Sequence, residues 1–164
     1  SDKHFNWRTK MNLELKNIKY SDFASEETNC YRGHLYIDGK KIAIVSNDGR
    51  GGCDYFHAEE GVSPTIEREI LAYFKTLPNV PCEYIKGGLS HDLESWCGEQ
   101  VTKFLASKDL KRRLKKGSMI KDGDSLHSWK GFLASDDIKK HYPKAIIFND
   151  LSFDEALTLY MGEA

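Results

Sequence analysis

The densest run of chemically capable side chains is Ser46-Asn47-Asp48-Gly49-Arg50-Gly51-Gly52-Cys53-Asp54-Tyr55-Phe56-His57. A cysteine thiolate is a nucleophile, and a histidine can deprotonate it when a carboxylate orients the ring. Cys53 and His57 stand four residues apart, so an extended stretch would place both side chains on one sheet face. His34 is a second candidate base. These residues describe a Cys/His-dependent hydrolase or transferase using Cys53. The family signatures of cysteine hydrolases are absent, however, and a small packed thiol leading into a strand accounts for the same residues. The glycines would also let backbone amides converge on an anion. Yet the segment has neither the Lys-Ser/Thr ending of a phosphate loop nor a G-x-G-x-x-G spacing.

Cys30, His34, Cys53, His57, His91 and Cys97 are metal-ligand types. Cys30 with His34, and Cys53 with His57, fall on common strand faces. A spacing of four on a strand separates side chains by about 13 Å, too far to chelate one ion. No metal and no cofactor is therefore expected. The chain also lacks a helical His-x-x-x-His, a G-x-S-x-G and a paired-carboxylate motif.

The strongest charge asymmetry is Lys108-Asp109-Leu110-Lys111-Arg112-Arg113-Leu114-Lys115-Lys116. Leu110 and Leu114 are one helical turn apart and can anchor a helix. Its other sides carry Lys111, Arg112, Arg113, Lys115 and Lys116. Such a stripe can steer an acidic protein surface or neutralise phosphates, and it also suits the negative end of a helix dipole. Asp48 and Arg50, in the loop from Asn47 to Asp54, are expected to make a second partner contact. Trp129 alternates with Lys130. If exposed it is an interface anchor or a base-stacking platform; otherwise it is a core residue.

Around these residues lies the composition of a folded domain: 164 residues, 40% hydrophobic and 30% charged, with a net charge of −1. That balance excludes a globally basic nucleic-acid binder. No stretch approaches the roughly 18 apolar residues of a membrane span, so no membrane partner is expected. Four widely spaced cysteines without a preceding secretory signal suggest reduced thiols in a cytoplasm.

Residues 1–10, with Phe5 and Trp7, read as a flexible arm before a single domain over 11–164. Asn12 to Tyr20 change hydrophobic phase midway, which predicts a strand bulged near Asn17. Cys30 to Ile37 and Lys41 to Ser46 flank Asp38-Gly39, a hairpin signal, with Ile42 and Ile44 expected to face inward. Cys53 to His57 is a fourth extended segment. A helix capped by Ser63 should bury Ile66, Ile70, Tyr73, Phe74 and Leu77 before Pro78. A second helix opens at Asp92, carries Trp96, Cys97, Val101, Phe104 and Leu105, and runs or breaks into Lys108 to Lys116. Strands are expected at Ser118 to Lys121, Leu126 to Leu133 and Lys144 to Asn149, with a short helix from Asp136 to His141. Ser152-Phe153-Asp154-Glu155 is a capping box for a last helix, with Glu163 beyond it. The order predicts an α+β fold: an antiparallel sheet from N-terminal hairpins packed against three to four helices.

Ser46 to His57 and Ala145 to Leu157 resemble stretches of small uncharacterised proteins of phages and mobile elements. The resemblance implies a genomic setting in which compact proteins bind and inhibit host machinery; with no catalytic signature in the chain, the leading expectation is a non-enzymatic binding protein in a host cell's cytoplasm. Its implied partner is a host protein or a nucleoprotein complex, including a CRISPR-like defence complex, which it would inhibit. The alternatives are the Cys53 enzyme and a nucleic-acid-binding module using residues 108–116.

Overall fold

The computed structural model describes residues 10–162, so all but Lys10 of the expected arm, and Glu163, lie outside the described residues. The chain falls into two units, one up to Val101 and one from Thr102. Both are built of helices and antiparallel strands, an α+β architecture.

In the first unit β1 (Leu13–Ser21), β2 (Cys30–Ile37), β3 (Lys40–Asp48) and β4 (Tyr55–Ala58) form an antiparallel sheet in the order β1-β2-β3-β4. The phase change in β1 is a bulge: the register shifts between Lys16 and Lys19, and Asn17 has φ 52°. Asp38 (φ 50°) and Gly39 (φ 80°) make the expected tight turn. A second irregularity, opposite the Leu35–Tyr36 step, leaves Ile42 as an extra residue in β3. Ile42, Ala43 and Val45 are consequently buried, whereas Ile44 turns to the opposite face, contrary to the simple alternation.

Helix α1 (Ile66–Phe74) buries Ile66, Ile70 and Phe74. The residue before its first turn is Thr65, which makes no side-chain cap bond; Ser63 caps the turn leading in, its hydroxyl accepting from the Thr65 amide at 3.3 Å and its carbonyl from the Ile66 amide at 3.1 Å. A small hairpin, β5 (Val80–Cys82) and β6 (Ile85–Leu89), follows; no hydrophobic alternation announced it. Asp92 then caps α2 (Leu93–Lys116), its Oδ1 accepting from the Ser95 amide at 2.7 Å. The helix runs unbroken to Gly117.

The second unit comprises the last turns of α2, β7 (Met119–Asp122), β8 (Ser125–Ser128), α3 (Ser135–His141), β9 (Ile146–Ile147) and α4 (Phe153–Tyr160). Its sheet order is β8-β7-β9. Strand alternation along β7 sends Met119 and Ile120 to different clusters. Met119 joins Leu110, Phe148, Ala156 and Leu157. Ile120 joins Ile138, Ala145 and Ile147. Two expected strands are shortened. β8 ends at Ser128, and Lys144 to Asn149 keep only Ile146 and Ile147 extended. Phe148–Asp150 tighten into a 3-10 turn that buries Phe148. The capping box at Ser152 and Glu155 is present in both directions.

Candidate functional site

The glycine-rich loop is organised by one buried amide. Asn47 Oδ1 accepts from the Thr28 hydroxyl at 2.7 Å and from the Gly49 amide at 2.8 Å. Its Nδ2 donates to the Gly52 carbonyl and to Asp54 Oδ1, each at 2.9 Å. Gly49 has φ 83°, and a Cβ there would meet the Ala24 carbonyl oxygen at 2.1 Å, so glycine is required by both backbone and space. The Gly49 carbonyl in turn accepts from the amides of Glu26, Glu27 and Thr28. Asp48 closes the loop locally by accepting from the Arg50 amide. Asp48 and Arg50 are exposed, as a contact role requires.

Beside this loop lies a cavity of about 230 Å³, lined among others by Tyr31, Asn47, Asp54 and Glu94. Tyr31 donates to Asp54 Oδ2 at 2.6 Å. Burial, with Cys97 and Asp54 nearby, pushes the Tyr31 hydroxyl far above its ordinary range. Burial likewise pushes the Cys97 thiol up to about 12. These groups stay protonated and occupied with one another, which is the behaviour of a structural network.

Among the described residues no hydrogen bond joins the Cys53 thiol to His34 or His57. Cys53 precedes β4, is exposed, and rests against the Glu94 carboxylate, whose hydrogen bond and charge push the thiol up instead of down. A reactive thiol needs the opposite environment. His34 and His57 flank Ile44 on the sheet, in register on β2 and β4. Two strand spacings separate their backbones by about 10 Å. His34 Nδ1 lies 3.1 Å from Asn17 Nδ2, not from a thiol. Among the described residues no three His, Cys, Asp or Glu side chains converge in a way that could hold a metal ion.

The basic run does build a site, within the second unit. Leu110 is fully buried and Leu114 packs on the same cluster, which fixes the rotation of the helix. Gly117 ends α2, and the chain returns beside it. The Gly131 amide donates to the Lys116 carbonyl at 2.8 Å, and the Trp129 amide to the Ser118 carbonyl at 2.9 Å. A Cβ on Gly117 would lie 2.1 Å from the Trp129 carbonyl oxygen, so this approach depends on glycine. The return sets Trp129 and Lys130 beside Arg112, Arg113 and Lys116. Together with Ser128 they line a cleft of about 350 Å³.

Asp109 orders the cleft from behind. Its carboxylate accepts from Arg113 Nε at 2.8 Å, from Arg112 Nη2 at 2.5 Å, and from the Tyr160 hydroxyl. The Tyr160 bond, then those from Arg112 and Arg113, hold the Asp109 carboxyl well below the usual carboxylate range. Each guanidinium spends part of its donor set on Asp109 and keeps the rest, five donors being available per arginine. Lys116 and Lys130 are exposed and form no ion pair among the described residues.

Of the expected cationic contacts, Arg112, Arg113 and Lys116 therefore meet at one place. Lys111 does not join them: its Nζ sits 5.0 Å over the Phe153 ring, tying α2 to α4. Lys115 is exposed but lies outside the cleft lining. Lys130, Asp109 and Tyr160 were not singled out as site residues. The one available signal was a lysine adjoining Trp129 and followed by a glycine. Comparison with protein-family models, curated proteins and solved structures gives no match.

Proposed function

We propose that this chain is a non-enzymatic binding protein that docks an acidic partner surface into the cleft of Arg112, Arg113, Lys116, Trp129 and Lys130. The observation that carries the reading is that four cations and one indole line the same cleft, two of the cations ordered by Asp109. Arginine and tryptophan are the residue types that dominate interface energetics, because each adds a large planar surface to a polar or charged edge. Pre-ordering lowers the side-chain entropy lost on docking. The environment of Cys53 argues for binding over thiol chemistry. The phage-protein resemblance implies a host or defence nucleoprotein complex as the partner, inhibited by occupation of its acidic surface in the cytoplasm.

Trp129 also favours a second reading, in which a nucleic-acid base stacks on the indole while its phosphates meet the cations. The test is capture of partners from host lysate on the immobilised full chain, with and without nuclease, for the parent and for Lys116→Glu/Lys130→Glu. A defined protein that survives nuclease and is lost from the double variant supports the first reading. Loss of all capture after nuclease transfers the cleft to nucleic acid. Capture unaffected by the double variant removes the cleft from the account.

A further inference from the structure

The cleft does not stand alone. Trp129 also lines a groove of about 450 Å³, together with Leu133, Asp137, Ile138, His141 and Tyr142. Its floor is apolar: Ile138 is 3% exposed and belongs to the cluster on which Trp129 and Tyr142 pack. Among its lining residues Leu133 stays 48% exposed, and its chain neighbour Phe132 is 67% exposed. Trp129 and Tyr142 are 6.1 Å apart between ring centroids, and His127 is 5.3 Å from Tyr142, so the indole is braced on its inner side. Trp129 is thus common to the linings of a cationic cleft and a largely apolar groove. Hydrophobic side chains left at a rim beside a built cavity are a mark of an interaction surface.

The geometry points to one occupant: a peptide segment of a partner protein that carries acidic side chains a few residues from a large apolar one. The carboxylates pair with Arg112, Arg113, Lys116 and Lys130, and the apolar side chain fills the groove over Ile138 and Tyr142. Because both linings include Trp129, the two subsites adjoin, within reach of a short extended segment at about 3.3 Å per residue. Charge complementarity selects the acidic half. The groove offers Leu133 and Ile138 beside Trp129 and Tyr142, a lining that an apolar side chain fills, and its one carboxylate, Asp137, is paired with Lys140 at 3.1 Å. The apolar half also accounts for selectivity: a cationic cleft alone takes any anion, whereas acidic-plus-apolar spacing is a specific pattern. This inference rests on the reading of the cleft as a docking site and specifies what docks there.

The experiment uses the full chain and fluorescein-labelled peptides in which two Asp precede or follow one Phe or Leu across spacers of zero to four Ser. Controls replace Asp by Lys or the apolar residue by Ser; a dT12 oligonucleotide is run alongside, and sedimentation tests self-association. Anisotropy gives Kd for the parent, for Lys116→Glu/Lys130→Glu, and for Leu133→Asp, whose parent side chain is exposed enough for the fold to tolerate the change. The expected result is one spacing that binds at least tenfold more tightly than both controls. Either variant should erase that advantage, and added salt should weaken binding. Equal binding by the Phe-to-Ser control, unaffected by Leu133→Asp, overturns the peptide assignment while leaving the cationic cleft standing. No peptide exceeding its controls also overturns it. Tighter binding of dT12, or a concentration-dependent dimer blocked by Leu133→Asp, assigns the surface to nucleic acid or to a second copy instead. If Lys116→Glu/Lys130→Glu changes no interaction at all, both readings fail together.

Discussion

Replacing Asn47 by aspartate should be far more damaging than its near-identity of shape suggests. Asn47 is 6% exposed and uses all of its amide: two bonds accepted, from Thr28 and Gly49, and two donated, to Gly52 and Asp54. In Asn47→Asp the accepted bonds survive, but Nδ2, which makes both donated bonds, becomes an oxygen that faces the Gly52 carbonyl and the Asp54 carboxylate. Losing a neutral bond costs about 1 kcal/mol, and losing one to a charged acceptor about 1.5–3 kcal/mol. Burying a second carboxylate beside Asp54 adds to that, for roughly 3–5 kcal/mol at neutral pH. Such a loss is a large part of the 5–15 kcal/mol that typically holds a domain together. The sign of the pH dependence follows. In the variant, the paired carboxyls hold a proton more tightly folded than unfolded, so their folded pKa is raised. The penalty is therefore small below about pH 4, the unfolded carboxyl value, and grows as pH rises through the raised folded value. Urea unfolding of parent and variant at pH 7 and pH 4, with hydrogen exchange at residues 47–54, measures both. A variant within 1 kcal/mol of the parent at pH 7, or a gap that widens at pH 4, would refute this account of the loop.

Three further outcomes are expected. Asp109→Asn should cost about 1–2 kcal/mol at pH 7, because three charge-assisted bonds weaken at a partly exposed carboxylate. The depressed pKa makes the parent's advantage full above about pH 4; it begins to fall below that and is gone only below the depressed folded value, so the gap between parent and variant thermal melts should narrow from pH 7 to pH 2.5 without closing. Cys53, although exposed, should alkylate with iodoacetamide no faster than a free thiol at pH 7.5, and Glu94→Gln should speed it; Cys97 should react only on unfolding. Gly117→Ala should displace the Trp129–Gly131 return, seen as a red shift and quenching of Trp129 emission in a Trp7→Phe/Trp96→Phe background, with loss of partner capture.

Much of the fold could be read from local chemistry. The bulge near Asn17, the Asp38-Gly39 turn, the Asp92 cap and the Ser152 capping box each announce themselves within a few residues, because each satisfies its own backbone. The inward face of β3 could not be read that way, since the irregularity at Ile42 is set by pairing with β2 and carries no glycine or asparagine of its own. The hairpin at Val80–Leu89 carries no sequence signal, because exposed Tyr84, Ile85 and Leu89 break any alternation. The site divides in the same manner. The cations on α2 were plain from composition, but Lys130 joins them only through the close approach of Gly117 to the returning chain. The diversion of Lys111 to Phe153 depends on where α4 packs. The pairing of Cys53 with Glu94 joins residues 41 apart in sequence, a contact no spacing rule supplies.

The most direct test compares two charge-matched double variants for capture of the nuclease-resistant partner from host lysate. Lys116→Glu/Lys130→Glu reverses cations lining the cleft; Lys108→Glu/Lys115→Glu reverses exposed cations of the same helix that do not line it. Both change the net charge equally, so long-range attraction falls alike. Docking in the cleft predicts that the first variant loses the partner at physiological salt and the second retains it. Equal retention, or equal loss, by the two variants would contradict the assignment of binding to the cleft.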